Sequence, residues 1–129
     1  MLSSRFAPWH VPLFAAKYAW LTLRRRPILV HFEVTMRCNA HCDFCDYWKT
    51  DASARDRESR SFADAARFFS PIMITFTGGE PLLRTDLESL VAGVARAVRL
   101  RYIAVITHGG MLTPERARSL WDAGLNQFN

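Results

Sequence analysis

"ILVHFEVTMRCNAHCDFC", residues 28–45, decides how the rest of this 129-residue chain is read. Its first eight residues, Ile28 to Thr35, are rich in β-branched and aromatic side chains at strand length, the composition that suits a pleated, half-buried surface. The strand runs directly into Cys38, Cys42 and Cys45, which are all the cysteines the chain owns. A C-x3-C-x2-C spacing on a loop lets three thiolates wrap one compact centre. Closed structural metal cages take four ligands, and reactive sites leave one position open. The stretch therefore reads as a strand that delivers an incomplete ring of sulfur to its own carboxyl end.

The bulk composition narrows what can surround that loop. Half of the residues are hydrophobic, enough for one domain with a core and too few for two in a chain of this length. The net charge is +5 and the pI near 9.6, but the arginines fall in separate groups at 24–26, 55–60 and 96–101 rather than in one stripe with interleaved aromatics. No nucleic-acid partner is expected. An odd cysteine count without a signal-peptide pattern argues against a secreted disulfide framework and points to a reducing cytoplasm. The run "VPLFAAKYAWLTL" is broken by Lys17 and falls short of a membrane span. Val11 to Arg26 reads as a helix with a basic end, closed by Pro27; such a helix can lie on anionic lipid, giving peripheral membrane contact, or pack across the mouth of a barrel, which is the preferred reading.

Downstream of the cysteines, "KTDASARDRESR" (49–60) reads as a charged loop, and Phe62, Ala65, Ala66 and Phe69 fall at helical spacing. "PIMITFT" (71–77) is a second strand, ending at Gly78-Gly79-Glu80-Pro81. "TDLE" (85–88) has the form of a capping box, Thr85 capping and Glu88 reaching back, and Leu87, Leu90, Val91, Val94 and Val98 mark one buried helix face. "YIAVIT" (102–107) is a third strand, ending at His108-Gly109-Gly110. Thr113 and Pro114 open a further helix with Leu120 and Trp121 on its packed face and Gly124 at its end, and "LNQFN" (125–129) begins a fourth strand. Strand and helix thus alternate at the spacing of βαβ units, so the fold class is α/β with a parallel sheet. In that architecture the loops after strands gather at one edge, where ligands bind. The cysteine loop, the GGEP turn and the HGG turn are thereby expected to share one site.

The thiols alone admit three readings. They can hold a 4Fe-4S cluster with one iron left without a cysteine. With His41, His31 or His108 they can form a Cys3His zinc site. Cys42 and Cys45 can also act as a thioredoxin-like C-x-x-C pair, which leaves Cys38 surplus.

The cysteine triad with Phe44 immediately before its last member, followed one βα unit later by a strand ending in Gly78-Gly79-Glu80-Pro81, resembles the radical S-adenosylmethionine (SAM) superfamily. That resemblance implies a partial (β/α)6 barrel, of which residues 28–129 supply the first three β/α units and the start of strand four, with residues 1–27 as a helical lead-in. A full barrel needs roughly 200 residues or more, so the resemblance also implies a truncated core, or one that a partner completes, with an exposed sheet edge prone to aggregation. It further implies a 4Fe-4S cluster on Cys38, Cys42 and Cys45, and SAM chelated to the open iron through its amine and carboxylate. One-electron cleavage would then give a 5'-deoxyadenosyl radical, with flavodoxin or ferredoxin as electron donor. Gly78 and Gly79 would allow close approach of the methionyl end, Glu80 or its flanking carbonyls would accept from the amine, and Pro81 would stiffen the exit. Phe44 would meet the adenine or shield the cluster. His108 stands where many relatives carry Asn in a TNG-like turn, and is expected to be a local backbone partner. Tyr47 and Trp48, just past the cluster loop, could cover the site or simply pack, and packing is the preferred reading. His31 and Glu33 alternate with the apolar positions of strand one, facing either the lumen or polar neighbours, and Asn126 and Asn129 lie near the fourth strand, whose end meets the SAM ribose in relatives. The substrate, a small molecule or a peptide, is not specified by these residues.

Overall fold

A computed structural model describes residues 6–49, 56 and 59–129. Four parallel strands form one open sheet in the order β1-β2-β3-β4: Leu29–Thr35, Met73–Gly78, Tyr102–Val105 and Gln127–Phe128. Helices α2 (Ser59–Phe69), α3 (Leu87–Ala97) and α4 (Pro114–Ala123) carry the crossovers, and α1 (His10–Leu23) precedes the sheet. This is the expected α/β half-barrel. Most of the charged loop expected over 49–60 lies outside the described residues.

The period of two along the strands separates the faces. Val34, Ile74, Phe76, Ile103 and Val105 are buried against Phe62 and Ala66 of α2, Leu87, Leu90, Val91 and Val94 of α3, and Leu120 of α4. The register pairs His31 with Thr75 and Glu33 with Thr77 on the opposite, polar face. His31 and Glu33 therefore point away from the helices, on the lumen side of the sheet.

Two local expectations change. The capping box does not form: Asp86 stands at the N-cap of α3 without a side-chain capping bond, and the Glu88 carboxylate accepts instead from Arg116 Nε of α4 at 3.1 Å. A long-range ion pair with two further Arg116 bonds, to the Leu82 and Arg84 carbonyls at 2.6 and 2.7 Å, outweighs a local cap of about 1 kcal/mol. By contrast, the Thr113 cap, Pro114 and Gly124 close α4 as expected, Gly124 at φ 120°.

The helix α1 ends at Leu23, so Arg24, Arg25 and Arg26 lie beyond it. It is not amphipathic in the expected sense. Lys17, its one Lys or Arg, turns inward and donates to the carbonyls of Pro71, Arg99 and Leu100 at 2.9, 2.7 and 3.0 Å, which anchors α1 beneath the amino ends of β2 and β3. Burial, with Arg101 nearby, lowers the Lys17 pKa to about 8. Leu21 is fully buried, while Val11, Leu13, Tyr18, Trp20 and Leu23 are exposed. Phe6 stacks on Tyr102 at 6.1 Å between centroids, covering the lower end of the sheet.

Candidate functional site

The three loops expected to meet do meet, and backbone does most of the joining. At the end of β1 the Thr35 and Arg37 carbonyls accept from Gly79 N and Glu80 N at 2.9 and 2.8 Å. A Cβ on Gly78 would stand 2.2 Å from the Thr35 oxygen, and one on Gly79 would stand 2.0 Å from the Arg37 oxygen. Only hydrogen fits in either gap. The space that the glycines were expected to open toward a ligand is thus filled, on this side, by the root of the cysteine loop. Gly78 adds φ 115°, a conformation that L side chains resist.

Glu80 is also turned inward. Its side chain is 1% exposed, and its oxygens accept from Leu82 N at 2.9 Å, Thr107 Oγ1 at 2.7 Å and His108 N at 3.0 Å. Its carboxylate therefore ties the second strand's turn to the third's, and caps the short 3-10 turn Pro81–Leu83. That turn is also held from outside by Arg116, and buried Arg84 donates to the Val34 carbonyl at 2.6 Å while forking onto Asp86 at 2.8 and 2.7 Å.

His108 is a local backbone partner, as its turn suggests, and more. Gly110 N–H donates to its Nδ1 at 3.0 Å, which places the ring proton on Nε2. Nε2 lies 2.9 Å from Asn39 Oδ1 and 3.2 Å from Glu80 Oε2. Asn39 sits next to Cys38, so the cysteine loop, the GGEP turn and the HGG turn share one hydrogen-bond network.

The cysteines are free and half-buried, with Cys45 N–H donating to the Cys42 carbonyl at 3.2 Å. Among the described residues, no three His, Cys, Asp or Glu side chains meet at a single-ion position. A zinc cage needs every sulfur about 2.3 Å from one ion, whereas a cluster offers each thiolate its own iron. Of the zinc candidates, His41 packs on the Trp48 ring at 4.9 Å, His108 is held as above, and His31 stands on the exposed lumen face. Three free thiols on one seated loop fit a cluster.

Phe44 is 93% exposed beside them. With Met36, Cys45, Asp46 and Tyr47 it lines an open, mostly apolar groove of about 530 Å³. Tyr47 does more than pack: its hydroxyl donates to Glu33 Oε1 at 2.7 Å, and this bond raises its pKa. Asn126 accepts from Ile103 N at 2.8 Å through its side chain, while the Asn129 carbonyl accepts from Thr107 N at 2.9 Å. Among the described residues no helix is long and apolar enough to cross a membrane.

Asn39, Thr107, Arg84 and Arg116 were not singled out from the sequence. For Asn39 and Thr107 the available signal was position, one inside the cysteine motif and one at a strand end.

A sequence model of the family described as the Radical SAM superfamily matches residues 32–129. The GTP 3',8-cyclase of Stenotrophomonas maltophilia (strain R551-3) is 34% identical over 105 residues, covering 78% of this chain and 32% of the relative. That of Pelotomaculum thermopropionicum is 34% identical over 114 residues, covering 84% and 35%. The chain thus spans about a third of the length of the curated relatives it matches. Among solved structures, BtrN in complex with AdoMet and 2-DOIA superimposes with a TM-score of 0.69 at 22% identity, over 79% of this chain and 44% of BtrN. Streptococcus suis SuiB bound to S-adenosylmethionine superimposes at 0.60 and 16% identity, over 98% of this chain and 29% of SuiB. At these identities the structures share the fold.

Proposed function

This chain belongs to the radical SAM superfamily, whose members bind a 4Fe-4S cluster and SAM, and on that premise we propose that residues 28–129 form the cluster- and SAM-binding core of a radical SAM enzyme, with residues 1–27 as its lead-in. Cys38, Cys42 and Cys45 would hold the cluster, with SAM bound beside them. When bound, the pair supplies one-electron cleavage of the sulfonium to a 5'-deoxyadenosyl radical. The observation that carries this reading is the seating of the cysteine loop directly on the Gly79–Glu80 backbone, which brings the two motifs to one sheet edge.

The chain's own groups divide the work. Because Glu80's carboxylate is engaged internally, the acceptors for the SAM amine are backbone carbonyls of the 78–81 turn, and Pro81 holds that turn's exit. Phe44, exposed at the rim of the groove, offers its face to adenine. Flavodoxin or ferredoxin supplies the electron, as it generally does for this superfamily. The GTP 3',8-cyclase relatives suggest GTP as substrate. Against a polyanion stands the lumen row Glu33, Thr77, His31 and Thr75, which contains a carboxylate and no Lys or Arg and suits a polar substrate.

Anaerobic reconstitution tests the core reading: about four irons and four sulfides per chain, a cluster spectrum perturbed by SAM, and 5'-deoxyadenosine on reduction. Any of Cys38→Ser, Cys42→Ser or Cys45→Ser should abolish the last. One tightly held zinc without SAM binding would overturn it.

For α1 the exposed residues Val11, Leu13, Tyr18, Trp20 and Leu23, followed by exposed Arg24 and Arg25, support contact with an anionic lipid surface, each arginine contributing about 1 kcal/mol there. Cosedimentation with phosphatidylglycerol vesicles, weakened by Arg24→Glu with Arg25→Glu, is the expected outcome; equal binding to neutral vesicles or none removes the reading.

A further inference from the structure

The cysteine loop is anchored at its root by backbone bonds from Gly79 and Glu80. Past Cys38 the situation differs. Among the described residues, the hydrogen bond linking segment 38–45 to another strand's loop is Asn39 Oδ1 to His108 Nε2, at 2.9 Å. His108 is oriented to make it by its other contacts: Gly110 N–H holds Nδ1 as the acceptor, His108 N–H is held by Glu80 Oε2, and the same Glu80 oxygen lies 3.2 Å from Nε2, behind the nearer Asn39 oxygen. Glu80 in turn is buried and bound to Leu82 and Thr107. The ring is therefore oriented by a chain of bonds that begins in the core and ends one residue from a thiol.

We infer that His108 is a positioning residue for the cysteine loop, its Nε2–H fixing Asn39 and through it the seat of Cys38. The inference rests on the cluster reading above. It concerns how the thiol is aimed, not how the cluster reacts. Of the two acceptors that Nε2–H faces, Asn39 Oδ1 is the nearer, at 2.9 against 3.2 Å for Glu80 Oε2.

Chemistry supplies a discriminating pair of variants. In His108→Gln the amide nitrogen falls near the Nε2 position and can still donate to Asn39. In His108→Asn the shorter side chain reaches the Nδ1 position and keeps at most the Gly110 contact. The measurement is iron retained against a chelator by the anaerobically reconstituted chain. Groups that orient metal ligands cost 10–100-fold in metal affinity when removed, so His108→Ala and His108→Asn should lose iron about 10-fold faster than wild type, with His108→Gln close to wild type. Asn39→Ala should likewise weaken retention, and the double variant should be no worse than His108→Ala alone, since the Asn39–His108 bond is the link the two residues share. If His108→Ala lowers the melting point of the metal-free chain, Asn39→Ala, at an exposed position, carries the same test. Iron retention unchanged in both alanine variants, or His108→Gln no better than His108→Asn, overturns the inference while leaving the cluster reading intact. A wild-type chain that takes up no iron overturns both.

Discussion

Two glycine pairs stand at the ends of neighbouring strands, and they are there for different physical reasons. Gly78-Gly79 closes β2 against the start of the cysteine loop, where any Cβ would press within 2.2 Å of a backbone oxygen. Gly109-Gly110 follows β3; a Cβ on Gly109 would meet nothing within 4 Å, and one on Gly110 would meet only the His108 ring at 3.0 Å. The first pair is a close contact between two chain segments. The second is a turn, whose demand is the positive φ of 75° at Gly109. Identical dipeptides at equivalent edges thus divide into one that fixes distance and one that fixes direction.

The largest effect is expected where distance is fixed. Gly79→Ala must push the Arg37 carbonyl aside and break the bonds that seat the cysteine loop, because the clash is with backbone that has no rotamer to change. A loss of at least about 3 kcal/mol, or no folded protein, is expected, with Gly78→Ala similar because it adds strain at φ 115°. Chemical denaturation of the metal-free chain measures it. A change below about 1 kcal/mol would mean that the two loops do not approach as closely as described.

This contrast also shows what was legible in the sequence. The alternation of Ile28–Thr35, 71–77 and 102–107 with helical faces gave the parallel order, because burial on a sheet or a helix leaves a local period. The cysteine spacing and GGEP were legible for the same reason: each is short and contiguous. What was not legible is long-range. Thr85 and Glu88 form a cap motif in the sequence, yet Glu88 pairs with Arg116, twenty-eight positions away, and no local pattern announces that competitor. Lys17 read as a break in an apolar run, and in the fold it is the residue that anchors the helix. The resemblance offered Glu80 or its flanking carbonyls as acceptors, and what no local pattern showed is that two of the three donors to its carboxylate, Thr107 and His108, come from the loop after another strand.

Where direction is fixed, the effect is smaller. Gly109→Ala keeps all contacts and incurs the left-handed conformation, a cost of about 1 kcal/mol. Gly109→Asn, whose side chain tolerates that region, should recover part of it. Thermal melts of the two variants beside wild type decide this. Equal destabilisation by Ala and Asn would show that the site is crowded after all, like the Gly78-Gly79 pair.

The smallest change in stability is expected at Gly110, and it separates folding from site geometry. An added methyl would crowd the His108 Nδ1 and Cε1 atoms at 3.0 Å, and that partly exposed ring can give by a few tenths of an ångström at the expense of the bonds that orient it. Gly110→Ala should therefore melt within about 0.5 kcal/mol of wild type. The tilt moves Nε2 relative to Asn39, so iron retention should fall while stability does not, and by less than in His108→Ala. If Gly110→Ala instead destabilised the metal-free chain as Gly79→Ala does, both pairs would be contacts of one kind. Unchanged stability and weakened retention together would place the third loop's influence on the thiols, through one imidazole, rather than on the fold.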